Sequence, residues 1–186
     1  MHSNTRRVGV PNSVMEEHRT RLREYLARLR EIRGDETYST AESSLHLPFD
    51  KDILRRIETV WQATADPRLK YIIVLGIGGS NLGAKAIYDA LWGNYDVLEP
   101  ERYPKIIWAD TSDGVLLEKL VHMIKSRTWP EEYLVIYVSK SGATSETALN
   151  GSLLWNVFGG EMEKNRWVVI SDRNSTLTVE AKKEGL

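Results

Sequence analysis

The sequence contains no cysteine. That excludes disulfides, thiolate metal sites and a thiol nucleophile, and it fits a reducing compartment. An excess of charge of either sign is lacking too. Lys and Arg number 25 against 26 Asp and Glu, leaving a net charge of −1, so no global field favours nucleic acid or an anionic membrane. No apolar run approaches the roughly 20 residues of a membrane span. The N-terminal stretch "MHSNTRRVGVPNS" lacks the apolar core of a signal peptide. There is no internal repeat and no low-complexity segment. These absences leave a cytoplasmic protein with no membrane or nucleic-acid partner as the expectation.

What is present is ordinary globular composition: 186 residues, 41% hydrophobic and 27% charged. That is enough to bury a sizeable core and argues against disorder. Residues 1–13 read as an exposed tail. Ser13 is expected to cap a helix reaching about Arg33, with Met15, Leu22, Leu26, Leu29 and Ile32 at helical steps and Gly34 as its stop. Residues 1–34 hold eight Arg against four Glu. Spacings such as Glu17/Arg21 and Glu24/Arg28 make this a solvated face of i,i+4 pairs, not a nucleic-acid surface. After a polar loop over 35–49, Asp50 is expected to cap a second helix carrying Ile53, Leu54, Ile57, Val60 and Trp61, which Asp66-Pro67 ends.

From residue 70 the pattern changes. "YIIVL" (71–75), "KIIWA" (105–109), "YLVIYVS" (133–139) and "RWVVIS" (166–171) are nearly continuous apolar runs. Such runs suit strands buried on both faces of a parallel sheet. Helical stretches over 81–92, 113–127, 145–158 and 175–184 follow them in alternation. The expected fold is α/β: a doubly wound, flavodoxin-like parallel sheet with helices on both faces, preceded by two N-terminal helices. The expected division is 1–66 for the tail and two helices and 67–186 for the sheet domain. In the order 2-1-3-4, the loops after the first and third strands meet at the switch point, where ligands bind.

The first of these loops is G-I-G-G-S-N, residues 76–81. It is not a dinucleotide fingerprint, because position 81 is Asn and not Gly, and no acidic residue caps the second strand before Asp110, more than 30 residues on, where roughly 20 is expected. Nor is it a P-loop: Gly78 and Gly83 have the spacing, but Ala84 follows and Lys85 is one place late. What remains is physical. Gly76, Gly78 and Gly79 permit a sharp turn and close approach of a ligand. Ser80 is expected where a helix opens, beside free N–H groups that suit an anion. The second loop, S-K-S-G-A-T-S, crowds Ser139, Ser141, Thr144 and Ser145 into the start of a helix, with Lys140 between them. One hydroxyl suffices for a cap, so four point to an encircled oxyanion, and a monophosphate is the natural occupant.

"VLGIGGSNLGAKAIYDAL" followed by "YVSKSGATSETALN" resembles the sugar-isomerase (SIS) domain of the glucose-6-phosphate isomerase family. That family carries G-I-G-G-S-x-L-G and then S-K-[ST]-x-x-T-x-E-[TP], met here by Gly76–Gly83 and Ser139–Thr147 in order. "ADTSDG" and "ISDRNSTLTVEAKKEGL" resemble further family stretches, and the likeness covers about residues 65–186. Ser141 and Gly142 replace the residues common in many members and match the broader SIS pattern. The resemblance implies substrate or phosphate contacts at Gly78, Gly79, Ser80, Ser139, Lys140, Ser141, Thr144 and Glu146, with no metal and no cofactor.

The resemblance also implies what is not here. The family's Arg in V-G-G-R, its catalytic Glu, and the His and Lys that open the ring have no counterpart in this chain, and neither has a fifth strand. No catalytic residue is therefore assigned. His2, His18, His46 and His122 fall outside the four crevice loops and read as surface or packing residues. The expectation is the N-terminal part of an aldose–ketose isomerase, binding sugar phosphate but inactive alone. An open sheet edge is expected to drive self-association or pairing with a missing C-terminal half. The rival readings are a stand-alone sugar-phosphate sensor and a nucleotide-binding α/β domain of another class.

Overall fold

The computed structural model describes residues 9–127, 129–158 and 164–186. The chain divides into two compact units, Met1–Gln62 and Ala63–Leu186. Residues 1–8 of the expected tail, His2 among them, lie outside the described residues.

In the first unit, α1 (Asn12–Ile32) begins two residues earlier than a Ser13 cap would place it. The Met15 N–H donates to the Pro11 carbonyl at 3.1 Å, so Pro11 heads the helix and Ser13 lies inside its first turn. The expected i,i+4 ion pairs give way to Arg19–Glu16 at 3.2 Å and Arg28–Glu42 at 3.8 Å. Arg28 thus turns to the short helical turn Ala41–Leu45 and away from its own helix. Ile32 is the buried residue of the α1 stripe, whereas Leu22 and Leu26 are exposed. His46 is buried with Nδ1 3.1 Å from the Arg33 carbonyl, a packing histidine as expected. α2 (Lys51–Thr64) starts as expected, with Asp50 Oδ1 accepting from the Asp52 and Ile53 N–H groups, both at 2.9 Å. Leu54, Ile57, Val60 and Trp61 of its apolar face are exposed.

The second unit is a four-stranded parallel sheet in the order β2-β1-β3-β4. Its strands are β1 (Tyr71–Leu75), β2 (Lys105–Ala109), β3 (Tyr133–Val138) and β4 (Trp167–Ile170). Leu75 is level with Ala109 on one side and Tyr137 on the other, so the crevice ends of the three strands finish together. Between and after the strands run α3 (Leu82–Leu91), α4 (Gly114–Arg127), α5 (Ser145–Phe158) and α6 (Thr176–Glu184).

Right-handed crossovers from this strand order put α3 on one face and α4 with α5 on the other. The cores agree. Ile73, Leu75, Val135 and Tyr137 pack with Leu120 and Ile124 of α4 and with Leu154 and Phe158 of α5. Ile72, Val74 and Leu134 face the opposite way together with Trp108, and Tyr88 of α3 meets Trp108 edge-on at 6.1 Å. Both faces of the central strands β1 and β3 are covered, which is why they read as unbroken apolar runs, while β2 at one edge is half-buried and Ile170 of β4 is exposed.

β3 ends one residue sooner than expected, and β4 is one residue shorter at each end. The cause at the crevice end is that Ser139 and Ser171 are drawn into loop contacts. The Ser139 N–H still reaches the Ile170 carbonyl at 3.1 Å, while Ser171 Oγ donates to the Ser139 carbonyl at 2.5 Å.

Candidate functional site

Behind β1 the backbone turns at once. Gly78 holds φ +54°, a left-handed conformation that glycine adopts freely, and a 3-10 turn runs from Gly78 to Ser80. The Ser80 N–H donates to the Ile77 carbonyl at 3.1 Å, and the Asn81 carbonyl accepts the Lys85 N–H at 2.8 Å. The helix therefore opens on Asn81. This corrects the expectation that Ser80 opens it, because an extra tight turn intervenes. Gly78 and Gly79 are exposed and Ser80 is half-buried.

Asn81 makes no side-chain cap bond. It is buried, and its Nδ2 donates sideways to Asp110 Oδ2 at 3.2 Å. Lys85 Nζ reaches the same oxygen at 2.9 Å. The two residues that spoil the nucleotide-binding fingerprints thus join a carboxylate at the crevice end of β2. Three residues on, Asp113 Oδ1 accepts from the Val115 N–H at 2.8 Å and the Asp113 carbonyl accepts from Leu117 at 3.0 Å, so this aspartate caps α4.

In the hydroxyl loop, Ser139 is buried and its Oγ accepts the Gly142 N–H at 3.1 Å. Ser141 Oγ accepts the Ala143 N–H at 3.2 Å. Each hydroxyl thereby shapes the turn through its oxygen and keeps its proton for another acceptor. The Thr144 carbonyl takes the Ala148 N–H at 2.8 Å, so Thr144 heads α5. The first-turn N–H groups that follow have no intrahelical acceptor and form the positive end of the helix dipole. Lys140, Ser141 and Glu146 are exposed and Thr144 is half-buried.

The loop after β4 supports this one. Besides its bond to the Ser139 carbonyl, Ser171 Oγ lies 2.5 Å from Ser175 Oγ, and Ser175 in turn caps α6 by accepting the Thr178 N–H at 3.0 Å. The Asp172 N–H donates to the Lys140 carbonyl at 3.3 Å, and Thr176 Oγ1 donates to the Ser141 carbonyl at 3.2 Å.

The glycine turn and the hydroxyl loop meet at Gly76. An added Cβ there would stand 3.1 Å from Ser80 Cβ and 3.1 Å from the carbonyl oxygen of Val138, the residue before Ser139. The strand order had placed these two loops side by side, and the packing closes them to contact at their roots.

A family model described as phosphoglucose isomerase matches residues 17–183. The chain belongs to the phosphoglucose isomerase family. Among curated relatives, the glucose-6-phosphate isomerase of Lactiplantibacillus plantarum is 31% identical over 153 residues, covering 76% of this chain and 33% of that protein. The glucose-6-phosphate isomerase of Enterococcus faecalis is 32% identical over 166 residues, covering 84% and 36%. The chain spans about a third of the length of the curated relatives it matches. A solved structure of a hypothetical protein from Thermus thermophilus has a TM-score of 0.69 and 27% identity over 94% of this chain and 39% of that one. A glucose-6-phosphate isomerase from Chlamydia trachomatis, 24% identical, shares the fold with a TM-score of 0.55 over 78% of this chain and 27% of that one.

The positions that match the phosphoglucose isomerase motifs fall into two groups here. Gly78, Gly79 and Ser80 form the turn, and Ser139, Lys140, Ser141 and Thr144 form the loop, with Glu146 one step into α5. Sequence reasoning passed over the supporting residues. Asn81 and Lys85 were visible only as imperfect motif positions, and Asp110 only as part of a stretch that resembles the family. Asn150, with 0% exposure, lay beyond the second motif, and Ser171 stood only within the stretch after the fourth strand that resembles the family.

Proposed function

We propose that this chain supplies the sugar-phosphate-binding part of a glucose-6-phosphate isomerase, which interconverts glucose 6-phosphate and fructose 6-phosphate in cytoplasmic glycolysis and gluconeogenesis. The observation that carries the reading is the contact at Gly76, which joins a glycine turn and a hydroxyl-rich helix start at the switch point of the sheet. The phosphate lies at the N-terminus of α5, among the Ser139, Ser141 and Thr144 hydroxyls, with Lys140 adding a cation. Gly78, Gly79 and Ser80 let the backbone approach the sugar. Glu146 is an acceptor and would repel the phosphate, so its part is toward sugar hydroxyls.

Such a site anchors its ligand without lowering the barrier, because ground-state binding alone does not raise a rate. Proton transfer between C1 and C2 needs a base, and none is assigned to these residues. Catalysis then requires a further polypeptide segment that brings the base to this site.

Calorimetric titration with 6-phosphogluconate tests the reading. The chain should bind, and Thr144→Ala should weaken binding about tenfold, the value of one charge-assisted hydrogen bond. Ser139→Ala is a poorer probe because it also deprives Gly142 of its acceptor. Absence of binding, or equal binding by the Thr144 variant, overturns the assignment.

A further inference from the structure

We propose that the Asp110–Thr111 segment is a brace that sets the spacing of the glycine turn and the hydroxyl loop, with Asn81, Lys85 and Asn150 as its positioning residues. The inference rests on the phosphate-binding reading above and goes beyond it by naming residues that touch neither sugar nor phosphate.

The brace is held from both sides. From the α3 side, Asn81 Nδ2 and Lys85 Nζ converge on Asp110 Oδ2 at 3.2 and 2.9 Å. From the α5 side, Asn150 Nδ2 donates to the Thr111 carbonyl at 2.9 Å. Asp110 and Thr111 are consecutive, so the helix that opens behind the glycine turn and the helix that opens behind the hydroxyl loop are tied to one dipeptide. The register explains the placement. Leu75 pairs with Ala109, which brings Asp110 level with Gly76 and within reach of the residues that follow the turn.

Stability alone does not account for these amides. Asn81 and Asn150 are both buried, and each leaves its Oδ1 buried with no hydrogen-bond partner among the described residues. A half-satisfied buried amide stabilises a core less than an apolar side chain of similar volume does. Its specific contribution is directional: an amide fixes one carbonyl or carboxylate at one distance. A ligand held by two loops, its phosphate by one and its sugar by the other, is sensitive to displacements of about 0.5 Å. Lys85 has a second effect, since it neutralises a carboxylate that would otherwise face an anion site.

The test uses the 186-residue chain and its Asp110→Asn and Asn150→Ala variants, with backbone amide spectra and 6-phosphogluconate titrations recorded well below the unfolding temperature. Asp110→Asn should move the amide signals of residues 141–145, which it does not touch. Asn150→Ala should move those of residues 78–82. Each should weaken 6-phosphogluconate by about three- to tenfold, and the double variant by less than the product of the two, because both break one brace. Shifts confined to each variant's own side, or fold losses that multiply, overturn the brace. If the unaltered chain fails to bind 6-phosphogluconate, the functional reading falls, while the crossed amide shifts still decide whether the two helix starts are mechanically joined. Should Asn150→Ala not fold, Lys85→Met serves instead. Its side chain is 35% exposed, and it should shift residues 141–145 while weakening the anion most at low salt.

Discussion

Gly142→Ala is the sharpest perturbation the structure offers. Gly142 has φ +72°, where an L-residue is strained, at about 1–2 kcal/mol. Its surroundings add to that. A Cβ would run into the Leu177 backbone nitrogen and stand 2.5 Å from Thr176 Oγ1 and 2.8 Å from Leu177 Cβ. The nearest of these is backbone at the start of α6, so no side-chain rotation relieves it. Alanine recovers about 0.4–1 kcal/mol by restricting the unfolded chain, which is smaller than the strain alone. The net loss should be about 3 kcal/mol, lowering the melting midpoint by about 10 °C for a domain of this size.

The assay is urea denaturation of the purified chain beside Gly79→Ala. Gly79 has no positive φ and, among the described residues, nothing within 4 Å of an added Cβ, so its substitution should leave stability within about 0.5 kcal/mol of the parent. The same Gly79→Ala change should weaken 6-phosphogluconate, because the methyl occupies the space of close approach. The two glycines thus separate a structural demand from a ligand demand. A Gly142→Ala protein as stable as the parent would show that the hydroxyl loop does not rest on α6, and the support ascribed to Ser171 and Thr176 would go with it.

The sheet was legible because its physics is local. Strands buried on both faces must be apolar throughout, and β1 and β2 begin and end at the expected residues. α5 likewise spans the residues its pattern predicted, and Asp50 caps α2 as its residue type foretold. The misreadings concern competition between partners. Arg28 has Glu24 at a suitable helical spacing but pairs with Glu42, 14 residues on, and only the folded unit presents that choice. Ser80 has the right chemistry for a cap, yet the 3-10 turn moves the helix start to Asn81. Asn81 and Lys85 looked like failed motif residues because their partner, Asp110, follows another strand. Once the β1–β2 register is known, their meeting follows from it. The need for glycine at 142 comes from α6, about 35 residues downstream, so the sequence showed a turn there without showing what crowds it.

Two further expectations concern stability. Burial pushes the Asp96 carboxyl up, but hydrogen bonds from Arg102, Tyr88 and Lys105 outweigh it and hold the group down at about 2. A depressed carboxylate stabilises the fold above its unfolded value near 3.8, and that contribution fades as pH falls toward 2. Asp96→Asn should therefore flatten the dependence of the urea midpoint on pH between about 4 and 2; parallel curves for parent and variant would refute this. Gly151→Ala sets two effects against each other in α5. Alanine is better than glycine in a helix by about 1 kcal/mol. The added Cβ, however, would stand 2.5 Å from Tyr137 Cε1, 2.6 Å from Cζ and 2.8 Å from the phenol oxygen. Tyr137 is only 9% exposed and belongs to the main core, so the ring has little room to tilt, and overpacking of this kind costs about 1–3 kcal/mol. Overpacking should win, with a net loss of about 1 kcal/mol in urea denaturation and a change in the near-ultraviolet signal of the tyrosine. A stabilised Gly151→Ala protein would mean that the ring moves freely, and that the close approach of α5 to β3, which seats Asn150 over the Thr111 carbonyl, is looser than the distances imply.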